Sequence, residues 1–404
     1  MTSRSRLVPP DVDGKPTVQR DWLLIPLLAA VTVVVLAASI ETVARKYFSE
    51  RITLVNQCLT VDDPTMGTHA IPNSVCWEKS AESPLIEYRF NSCGHRAGVE
   101  CGPKPSGSYR IVMIGSSVAM GDRVRQPATL AALLPSELSR IASRPVDLYN
   151  EGMRVDYSHF AARHFEEALH AQPDLIIWVL TPYDIQTEIL SRNPAANENL
   201  AAKAWFRIKL TFSAMSFSDG VDDLKRRALE PLLGTATAQM VQHWLYKSQS
   251  QYLRGCLFGG DSFGYLRSNP SPQWRSRMHM FDQEAAAMEA RAKSAGIPIV
   301  AVLIPGRPQA AMISNGAWPE GFDPYELDKE VKSAIVGHGG IYLDIFPSFA
   351  TIRSAELNYF PVDGHPTEDG HKLLTRLIAQ QLTNGSIAQL KAAPQKLTAS
   401  EQGR

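Results

Sequence analysis

The chain places a serine at the end of a short apolar run and an acid–imidazole pair near its other end. Ser117 follows Ile-Val-Met-Ile-Gly-Ser (residues 111–116), and Asp363 and His365 are two positions apart in Asp-Gly-His-Pro. A serine becomes a useful nucleophile near neutral pH only when a base removes its proton and a third group orients that base. The chain supplies all three groups in the order Ser, Asp, His, which indicates nucleophilic catalysis.

The segments around these residues alternate between strand-like and helix-like patterns. Apolar runs predict strands at Ile111–Gly115, Val146–Tyr149, Leu175–Leu180, Ile297–Ile304 and Gly340–Phe346. Helical spacing is found at Pro127–Ala142, Ser158–Ala171, Trp274–Ala295, Tyr325–Val336 and Glu368–Leu382. This alternation predicts an α/β fold in which a parallel sheet lies between layers of helices. Reactive groups gather at the carboxyl ends of the strands in such sheets, and Ser117 follows the first strand.

Composition and charge narrow the classes of function. The chain has 404 residues, of which 44% are hydrophobic and 20% are charged, and its 41 basic and 41 acidic residues give no net charge. That length is ample for a large core. The chain has no net positive charge and no basic stripe with interleaved aromatic residues. Its charge therefore gives no support to nucleic acid as a partner.

An apolar segment near the N-terminus predicts a membrane anchor. Trp22–Ile40 contains no charged residue, and about 19 apolar residues span a bilayer as a helix. A cleaved signal peptide, with its cleavage point near Ala37 and Ala38, is the alternative. The run is longer than the usual signal core of about 7–15 residues, which favours an uncleaved anchor. Basic residues flank both sides, so the positive-inside bias is slight.

Five cysteines bear on the compartment. Cys58 and Cys76 lie in a loop-rich stretch, Cys93 and Cys101 bracket a turn, and Cys256 stands alone. Two local pairs are natural in an oxidising compartment, whereas five unpaired thiols in a cytosolic domain are the alternative. No Cys-x-x-Cys motif supports a metal site. An anchor together with paired cysteines favours a single-pass protein whose large domain is extracytoplasmic, in the periplasm.

The sequence divides into five parts. They are a cytoplasmic disordered leader at 1–21, the anchor at 22–44, an irregular juxtamembrane region at 45–108, the α/β domain at 109–382 and a tail at 383–404. The juxtamembrane assignment depends on five prolines that interrupt any periodicity.

The α/β alternation stops at about 185–271, where a helical insertion is expected. Its helix-like segments are Ala201–Ala214, Asp222–Leu233 and Thr237–Leu253. The insertion is interpreted as a lid or acceptor-binding cap over the active end of the sheet, as a packing subdomain, or as a membrane-surface contact. The membrane alternative depends on the aromatic residues Trp205, Phe206, Phe212 and Phe217.

The segment around Ser117 resembles the first conserved block of the SGNH (GDSL) hydrolases, Gly-Asp-Ser-x-x-x-Gly. Gly115, Ser117 and Gly121 match that block, and Ser116 replaces the usual Asp. The resemblance implies a three-layer flavodoxin-like parallel sheet of the SGNH type. It also implies that Ser117 is the nucleophile and that its own N–H contributes to the oxyanion hole.

The second and third family blocks supply further oxyanion-hole donors. Tyr149-Asn-Glu-Gly-Met153 is similar to the second block, which identifies Gly152 as a donor. In Leu180-Thr-Pro-Tyr-Asp184, the third block keeps only the Asp, and Tyr183 stands where the family has Asn. A tyrosine hydroxyl can donate, but its reach differs from that of an asparagine amide.

The last block pairs an Asp with a His near the C-terminus. By resemblance, His365 is the general base and Asp363 its orienting partner, although one residue separates them here and two in the common form. His371 is expected on the following helix as a packing residue. A zinc site made of Asp363, His365 and His371 is the rival interpretation, but no His-Glu-x-x-His motif supports it.

The resemblance implies a membrane-anchored serine esterase that needs no cofactor and no metal. Its substrate would be an acylated carbohydrate or small ester, most simply an acetyl ester of a cell-envelope glycan. A polysaccharide O-acyltransferase that uses the same serine is the alternative, as is a decayed glycan-binding or scaffold protein. The expected partners are this substrate and the membrane, through Trp22–Ile40.

Overall fold

The computed structural model describes residues 18–48, 50–52, 57–63, 67–154, 160–185, 235–257 and 260–391. Its strands are β1 Arg51–Ile52, β2 Leu59–Asp63, β3 Gly67–Ala70, β4 Val75–Lys79, β5 Leu85–Arg89, β6 Tyr109–Gly115, β7 Val146–Asn150, β8 Leu175–Leu180, β9 Ile299–Leu303 and β10 Ile341–Tyr342. Its helices are α1 Val18–Tyr47, α2 Ser117–Met120, α3 Leu130–Ala142, α4 Phe160–His170, α5 Ala236–Tyr246, α6 Gln249–Leu257, α7 Pro272–Ala295, α8 Arg307–Asn315, α9 Glu326–Gly337, α10 Phe346–Phe349 and α11 Glu368–Gln381.

Several predicted segments lie outside the described residues. They are most of the leader, the insertion segments Ala201–Ala214 and Asp222–Leu233, the aromatic residues Trp205, Phe206, Phe212 and Phe217, and the end of the C-terminal tail.

The central sheet has five strands in the order β10-β9-β8-β6-β7, all parallel. Numbered along the chain within this sheet, the order reads 2-1-3-4-5 from the β7 edge, which is the flavodoxin-like order. Every residue of β6, β8 and β9 is buried. Strands that are covered on both faces have continuous apolar sequences, which explains the apolar runs from which these strands were predicted. The predicted fold class is confirmed.

Helices cover both faces of the sheet, which makes three layers. The β6–α3–β7 connection runs towards one edge, whereas the connections through α4, α7 and α9 run towards the other. Because parallel crossovers are right-handed, α3 lies on the opposite face from α4, α7 and α9. The contacts agree: α11 packs on α3, and α7 packs on both α4 and α9. The apolar core fills the space between these layers.

The strand register brings the ends of β6 and β8 to the same edge of the sheet. Gly115 pairs with Val179, and Met113 pairs with Asn150 at the end of β7. The loops that follow these strands therefore leave the sheet side by side. Ser117 follows β6 by two residues, so it lies at the carboxyl edge that these loops share.

The juxtamembrane region is more ordered than the sequence predicts. Residues 45–108 form an antiparallel sheet of β1, β4 and β5 and a separate β2–β3 pair. Cys58 bonds to Cys76 and Cys93 to Cys101, as expected for an oxidising compartment, while Cys256 is a buried free thiol. The prediction of irregular structure was wrong for the described residues of this region, because Pro72, Pro84, Pro103 and Pro105 lie between short strands and not within them.

Element boundaries in the α/β part differ from the predictions in three places. The predicted strand Gly340–Phe346 is only β10, since the chain turns into α10 after it. The predicted helix Thr237–Leu253 is two helices, α5 and α6, and α5 ends at Tyr246. Helix α8 was not predicted: its first turn contains Pro308, which reads as a breaker although it is favoured at a helix start. Strand Leu175–Leu180 agrees with its prediction.

Helix α1 contains the predicted anchor. Its segment Leu24–Tyr47 is long and apolar enough to cross a membrane, and most of its apolar side chains are exposed, whereas Ala44 is buried. Near its end, the Glu41 carboxylate accepts the backbone N–H groups of Ala236 and Thr237 at 3.1 and 2.9 Å. A carboxylate at a helix N-terminus satisfies N–H groups that have no partner within the helix. The anchor is thereby joined to α5.

Candidate active site

Ser117, His365 and Asp363 come together at the carboxyl edge of the sheet. His365 Nε2 lies 2.7 Å from Ser117 Oγ, and His365 Nδ1 lies 2.6 Å from Asp363 Oδ1. A carboxylate only accepts hydrogen bonds, so the Nδ1–H donates to Asp363 and the Nε2 lone pair faces the serine hydroxyl. The His365 side chain is 24% exposed, which leaves the reacting atoms accessible from solvent.

The backbone around Ser117 explains why the block needs its glycines. Gly115 has φ +149°, and a Cβ there would collide with Val179 O of the neighbouring strand. Gly121 ends α2 in the left-handed region with φ +75°. These positions permit a sharp turn from β6 into α2, with Ser117 as the first residue of that short helix.

The His365 side chain is positioned by a tight loop. Gly364 adopts φ +81° between the two catalytic candidates, and its N–H donates to Phe360 O at 3.0 Å. The Phe360 N–H in turn donates to His365 O at 2.9 Å. This closed loop lets an aspartate two positions before the histidine reach its Nδ1, so the shortened Asp-to-His spacing is compatible with a triad.

Arg123 completes the surroundings of the Asp363 carboxylate. Its Nη2 lies 3.0 Å from Asp363 Oδ2, the oxygen that His365 does not use. Burial opposes ionisation of Asp363, but the Arg123 guanidinium and His365 more than offset it and hold the pKa of that carboxyl well below its ordinary value. Asp363 is therefore ionised throughout the neutral range, as an acceptor from His365 must be.

A network of buried charged and polar side chains contacts the backbone next to the Arg123 side chain. Tyr88 Oη donates to Asp122 Oδ1 at 2.6 Å and accepts the Arg123 N–H at 2.8 Å. Arg154 pairs with Asp122 and, at 2.7 Å, with Glu78. Burial raises and the adjacent arginines lower the pKa of Asp122, with a net shift downward. These side chains were missed in the sequence because they come from β4, β5 and two loops that no linear motif connects.

The juxtamembrane region also holds the loop after Ser117. The guanidinium of Arg96 is fully buried and donates to Met120 O at 3.2 Å and to Val124 O at 2.7 Å. It lies over the Tyr88 ring, 4.2 Å from its centre. The region predicted to be irregular is thus a structural part of the site.

Glu82 holds the other side of the loop of residues 360–365, which carries Asp363 and His365 and is the catalytic loop of the candidate triad. Its buried carboxylate accepts the N–H groups of Val362 and Asp363 at 3.0 and 2.8 Å. It also lies 2.5 Å from His243 Nδ1 of α5. Glu82 therefore joins the catalytic loop to a helix of the insertion, and no pattern around it in the sequence indicated this.

Gly152 has a different contact from the one predicted. Its N–H donates to Asn150 Oδ1 at 3.0 Å, and a Cβ on Gly152 would collide with the backbone of Ala119 and Met120. In this structure the glycine therefore permits close packing beneath α2. Donation of its N–H to an oxyanion would require the bond to Asn150 to break, and this role stays a prediction.

Tyr183 and Asp184 lie in the turn after β8. The Asp184 carboxylate accepts the Thr181 N–H and hydroxyl, both at 2.7 Å, and the Asp184 N–H faces Thr181 Oγ1 at 3.4 Å. This reciprocal pattern is a capping box, which fixes the start of a helical turn. Burial raises the pKa of Asp184, and hydrogen bonds from Ser116 and Thr181 oppose that rise. Tyr183 lies in this turn, and its role as a donor stays a prediction.

The rival zinc interpretation does not match the geometry. His371 is buried on α11, where its Nδ1 accepts the Leu130 N–H at 3.0 Å. Both nitrogens of His365 face Ser117 and Asp363, and the second oxygen of Asp363 faces Arg123. The three proposed ligands therefore do not converge on one point.

Comparisons with known proteins give similarities at the level of structure. No protein-family model matches the chain, and no curated protein matches it. Among solved structures, it is similar to a lipase/acylhydrolase from Enterococcus faecalis, at 13% identity, covering 68% of this chain and 95% of the other, with a TM-score of 0.35. A protein assigned as a GDSL-like lipase from Parabacteroides merdae has 12% identity, coverage of 70% and 98%, and a TM-score of 0.35.

A third similar structure is assigned as an acylhydrolase from Bacteroides fragilis, at 11% identity, with coverage of 70% and 90% and a TM-score of 0.31. These proteins are what the chain resembles. Because all of these TM-scores lie below 0.5, the chemistry of this chain is inferred from its own motifs and geometry.

Proposed function

We propose that this chain is a serine ester hydrolase of the SGNH type. The observation that carries the proposal is the continuous chain of hydrogen bonds from Ser117 Oγ through His365 to Asp363, at 2.7 and 2.6 Å. This arrangement joins residues from opposite ends of the sequence, and it is the arrangement that activates a serine.

The mechanism follows from these positions. His365 Nε2 removes the Ser117 hydroxyl proton while the oxygen attacks the ester carbonyl carbon. The imidazolium that forms is stabilised by ionised Asp363, whose own charge is maintained by Arg123. His365 then returns the proton to the leaving alcohol, which gives an acyl-serine. Water activated by the same nitrogen attacks the acyl carbon and regenerates Ser117.

The oxyanion formed in each step needs donors. The Ser117 N–H lies at the first position of α2, where backbone N–H groups have no acceptor within the helix. A second donor, from Gly152 after local rearrangement or from Tyr183, completes the predicted hole. One missing donor costs on the order of 10²–10³ in turnover, so we expect slow hydrolysis unless a second donor engages.

The compartment is inferred from the anchor and the disulfides. Both disulfides follow α1 in the chain, and disulfides persist in oxidising compartments. These features support our inference that α1 is an uncleaved single-pass anchor and that the hydrolase domain lies outside the cytoplasm, in the periplasm. The contact between Glu41 and α5 holds the domain close to the membrane surface.

A cell-envelope glycan bearing acyl groups, most simply acetyl esters, is the substrate class that suits this compartment and this family resemblance. No side chain of the described site selects a particular sugar, so the choice depends on location and fold-level analogy. Hydrolysis and transfer share the acyl-serine, and they differ in whether water or a sugar hydroxyl takes the acyl group.

Full-length protein in detergent tests the function directly. We expect turnover of p-nitrophenyl acetate and covalent labelling of one serine by a fluorophosphonate, with both lost in Ser117→Ala. Ser116→Ala is the matched control, because its side chain lies one position away and outside the triad. Acetyl transfer to an oligosaccharide that exceeds hydrolysis would identify a transferase. Failure of wild-type protein to react in both assays would contradict catalysis.

A further inference from the structure

A second group of chemically active side chains lies at the end of β7, apart from the triad. Glu151 directly follows this strand, and His164 and Glu167 lie on α4. One nitrogen of His164 and one oxygen of each glutamate lie within 4.8 Å of one another. His164 Nδ1 is 3.8 Å from Glu167 Oε2.

Glu151 has no hydrogen-bond partner for either carboxylate oxygen among the described residues, although the residue is only 3% exposed. None of the described lysines or arginines forms an ion pair with it. An unpaired buried carboxylate is costly, so this position calls for a cation or a proton.

His95 contributes a fourth donor from a different part of the chain. Its Nε2 lies 3.6 Å from Glu151 Oε1, and its Nδ1 lies 3.9 Å from Cys101 Sγ of the disulfide-bonded loop. Neutral imidazole is the form that binds metal ions.

We propose that Glu151, His164, Glu167 and His95 form a binding site for one divalent cation, with Zn²⁺ as the favoured ion. Two imidazoles and two carboxylates are a donor set that suits zinc, and the two glutamate charges balance the charge of the ion. Ligand atoms about 2.0–2.2 Å from a tetrahedral zinc lie about 3.3–3.6 Å apart. The three ligand atoms that lie within 4.8 Å of one another therefore need to approach by up to about 1.5 Å, and His95 Nε2 lies 3.6 Å from Glu151 Oε1.

Such an ion would join three elements of the fold at one point. His95 lies in the loop closed by Cys93 and Cys101, Glu151 lies at the end of β7, and the other ligands lie on α4. The Glu151 N–H donates to Met113 O of β6 at 2.9 Å, so the bound ion would be fixed to the strand that leads to Ser117. The site is a structural clamp and takes no part in ester chemistry.

Zinc titration of the full-length protein in detergent tests the site. The protein is treated with EDTA, the chelator is removed, and ZnSO₄ is titrated in competition with a chromophoric chelator, followed by metal analysis and a thermal melt. We expect one zinc per chain and a higher Tm with zinc. Co²⁺ in its place is expected to give the visible absorption of a tetrahedral site without a thiolate charge-transfer band.

Glu151→Gln is the decisive variant because it removes a ligand charge and also relieves the unpaired buried carboxylate, so the protein should still fold. We expect its zinc affinity to fall at least about 100-fold and its Tm to become insensitive to zinc. The control is Glu166→Gln, on the same helix but 63% exposed, which should bind as wild type does. Equal zinc affinity in wild type and Glu151→Gln would overturn the site, as would no zinc binding by wild type. Neither result would affect the Ser117 proposal.

Discussion

The guanidinium of Arg123 lies 3.0 Å from Asp363 Oδ2, while His365 occupies the other oxygen of the same carboxylate. Arg123 itself adopts a left-handed backbone conformation, with φ +63°. A non-glycine residue in this conformation is uncommon and costs energy, and such residues cluster at functional sites. The local strain at Arg123 therefore agrees with a positioning role for its side chain.

Arg123→Gln is expected to impair hydrolysis by about 10–100-fold. Removing the cation raises the pKa of buried Asp363, because burial raises this pKa and the positive charge of Arg123 no longer lowers it. A protonated Asp363 no longer accepts from His365, so the acid limb of the profile of kcat/KM against pH should move to higher pH. The profile with p-nitrophenyl acetate measures this shift.

Arg125→Gln is the matched control for that prediction. Arg125 lies two residues further along the chain, its side chain is 67% exposed, and it pairs with Glu368 on the surface. Its profile should coincide with that of wild type. An Arg123→Gln profile that also coincides with wild type would show that Arg123 does not tune the acid.

Asp363→Asn is expected to lower kcat by about 10⁴-fold while leaving the fold intact. An asparagine has only one acceptor oxygen, whereas the Asp363 carboxylate accepts from both His365 and Arg123. His365 therefore adopts the wrong tautomer, and its charged form loses the stabilisation that the carboxylate provides. Steady-state kinetics and circular dichroism together measure the effect. Asp369→Asn, at an acid that is 77% exposed on α11, should retain full activity. Near-normal activity of Asp363→Asn would contradict the triad.

Glu82→Gln tests whether the insertion helix α5 supports the catalytic loop. The Glu82 carboxylate accepts two loop N–H groups and contacts His243. In the glutamine variant, the amide NH₂ would replace one acceptor oxygen with a donor that faces other N–H donors. We expect kcat to fall about tenfold with KM unchanged, since the loop shifts but no substrate contact is removed. Glu87→Gln, at a side chain 45% exposed, is the control. A change in KM alone would point to a substrate contact instead.

The sequence predicted the sheet and the triad because each has a local signature. Buried parallel strands such as β8 read as unbroken apolar runs, and the glycine after β6 marks the sharp turn before Ser117. The Asp-Gly-His motif is equally local. These features depend on neighbours in the chain, which is the information that a single sequence contains.

The supporting side chains could not be predicted in the same way. Arg123 and Glu82 act through carboxylates or N–H groups that are hundreds of residues away along the chain. A lone buried charge has no periodic pattern, and its partner is defined only by the fold. For Gly152, the motif match predicts an oxyanion donor, which stays a prediction, and the motif gave no sign of the close approach to Ala119 that the structure shows.

Gly152→Ala tests that packing interpretation. The added methyl group would overlap the backbone of Ala119 and Met120, which cannot move without displacing α2. We expect destabilisation of about 1–3 kcal/mol, as for other overpacked cores, and a lower Tm. Gly337→Ala is the control, because the space around that helical glycine is open and alanine favours helix. An unchanged Tm for Gly152→Ala would show that the backbone there is free to adjust.

Glu289 on α7 makes stability depend on pH in a defined direction. Burial raises its pKa to about 7, against an ordinary value of 4.5, and its Oε1 has no hydrogen-bond partner among the described residues. A raised carboxyl pKa means that the folded state keeps a proton that the unfolded state loses. The stabilising contribution of protonated Glu289 is therefore fully present below about pH 4.5 and is lost as the pH rises through about 7.

Glu289→Gln should abolish this part of the pH dependence. The stability of the variant should therefore exceed that of wild type at pH 8 and approach it at pH 5. Urea denaturation at both pH values measures the difference, and the exposed Glu166→Gln should follow wild type. Parallel curves for wild type and Glu289→Gln would contradict the assignment.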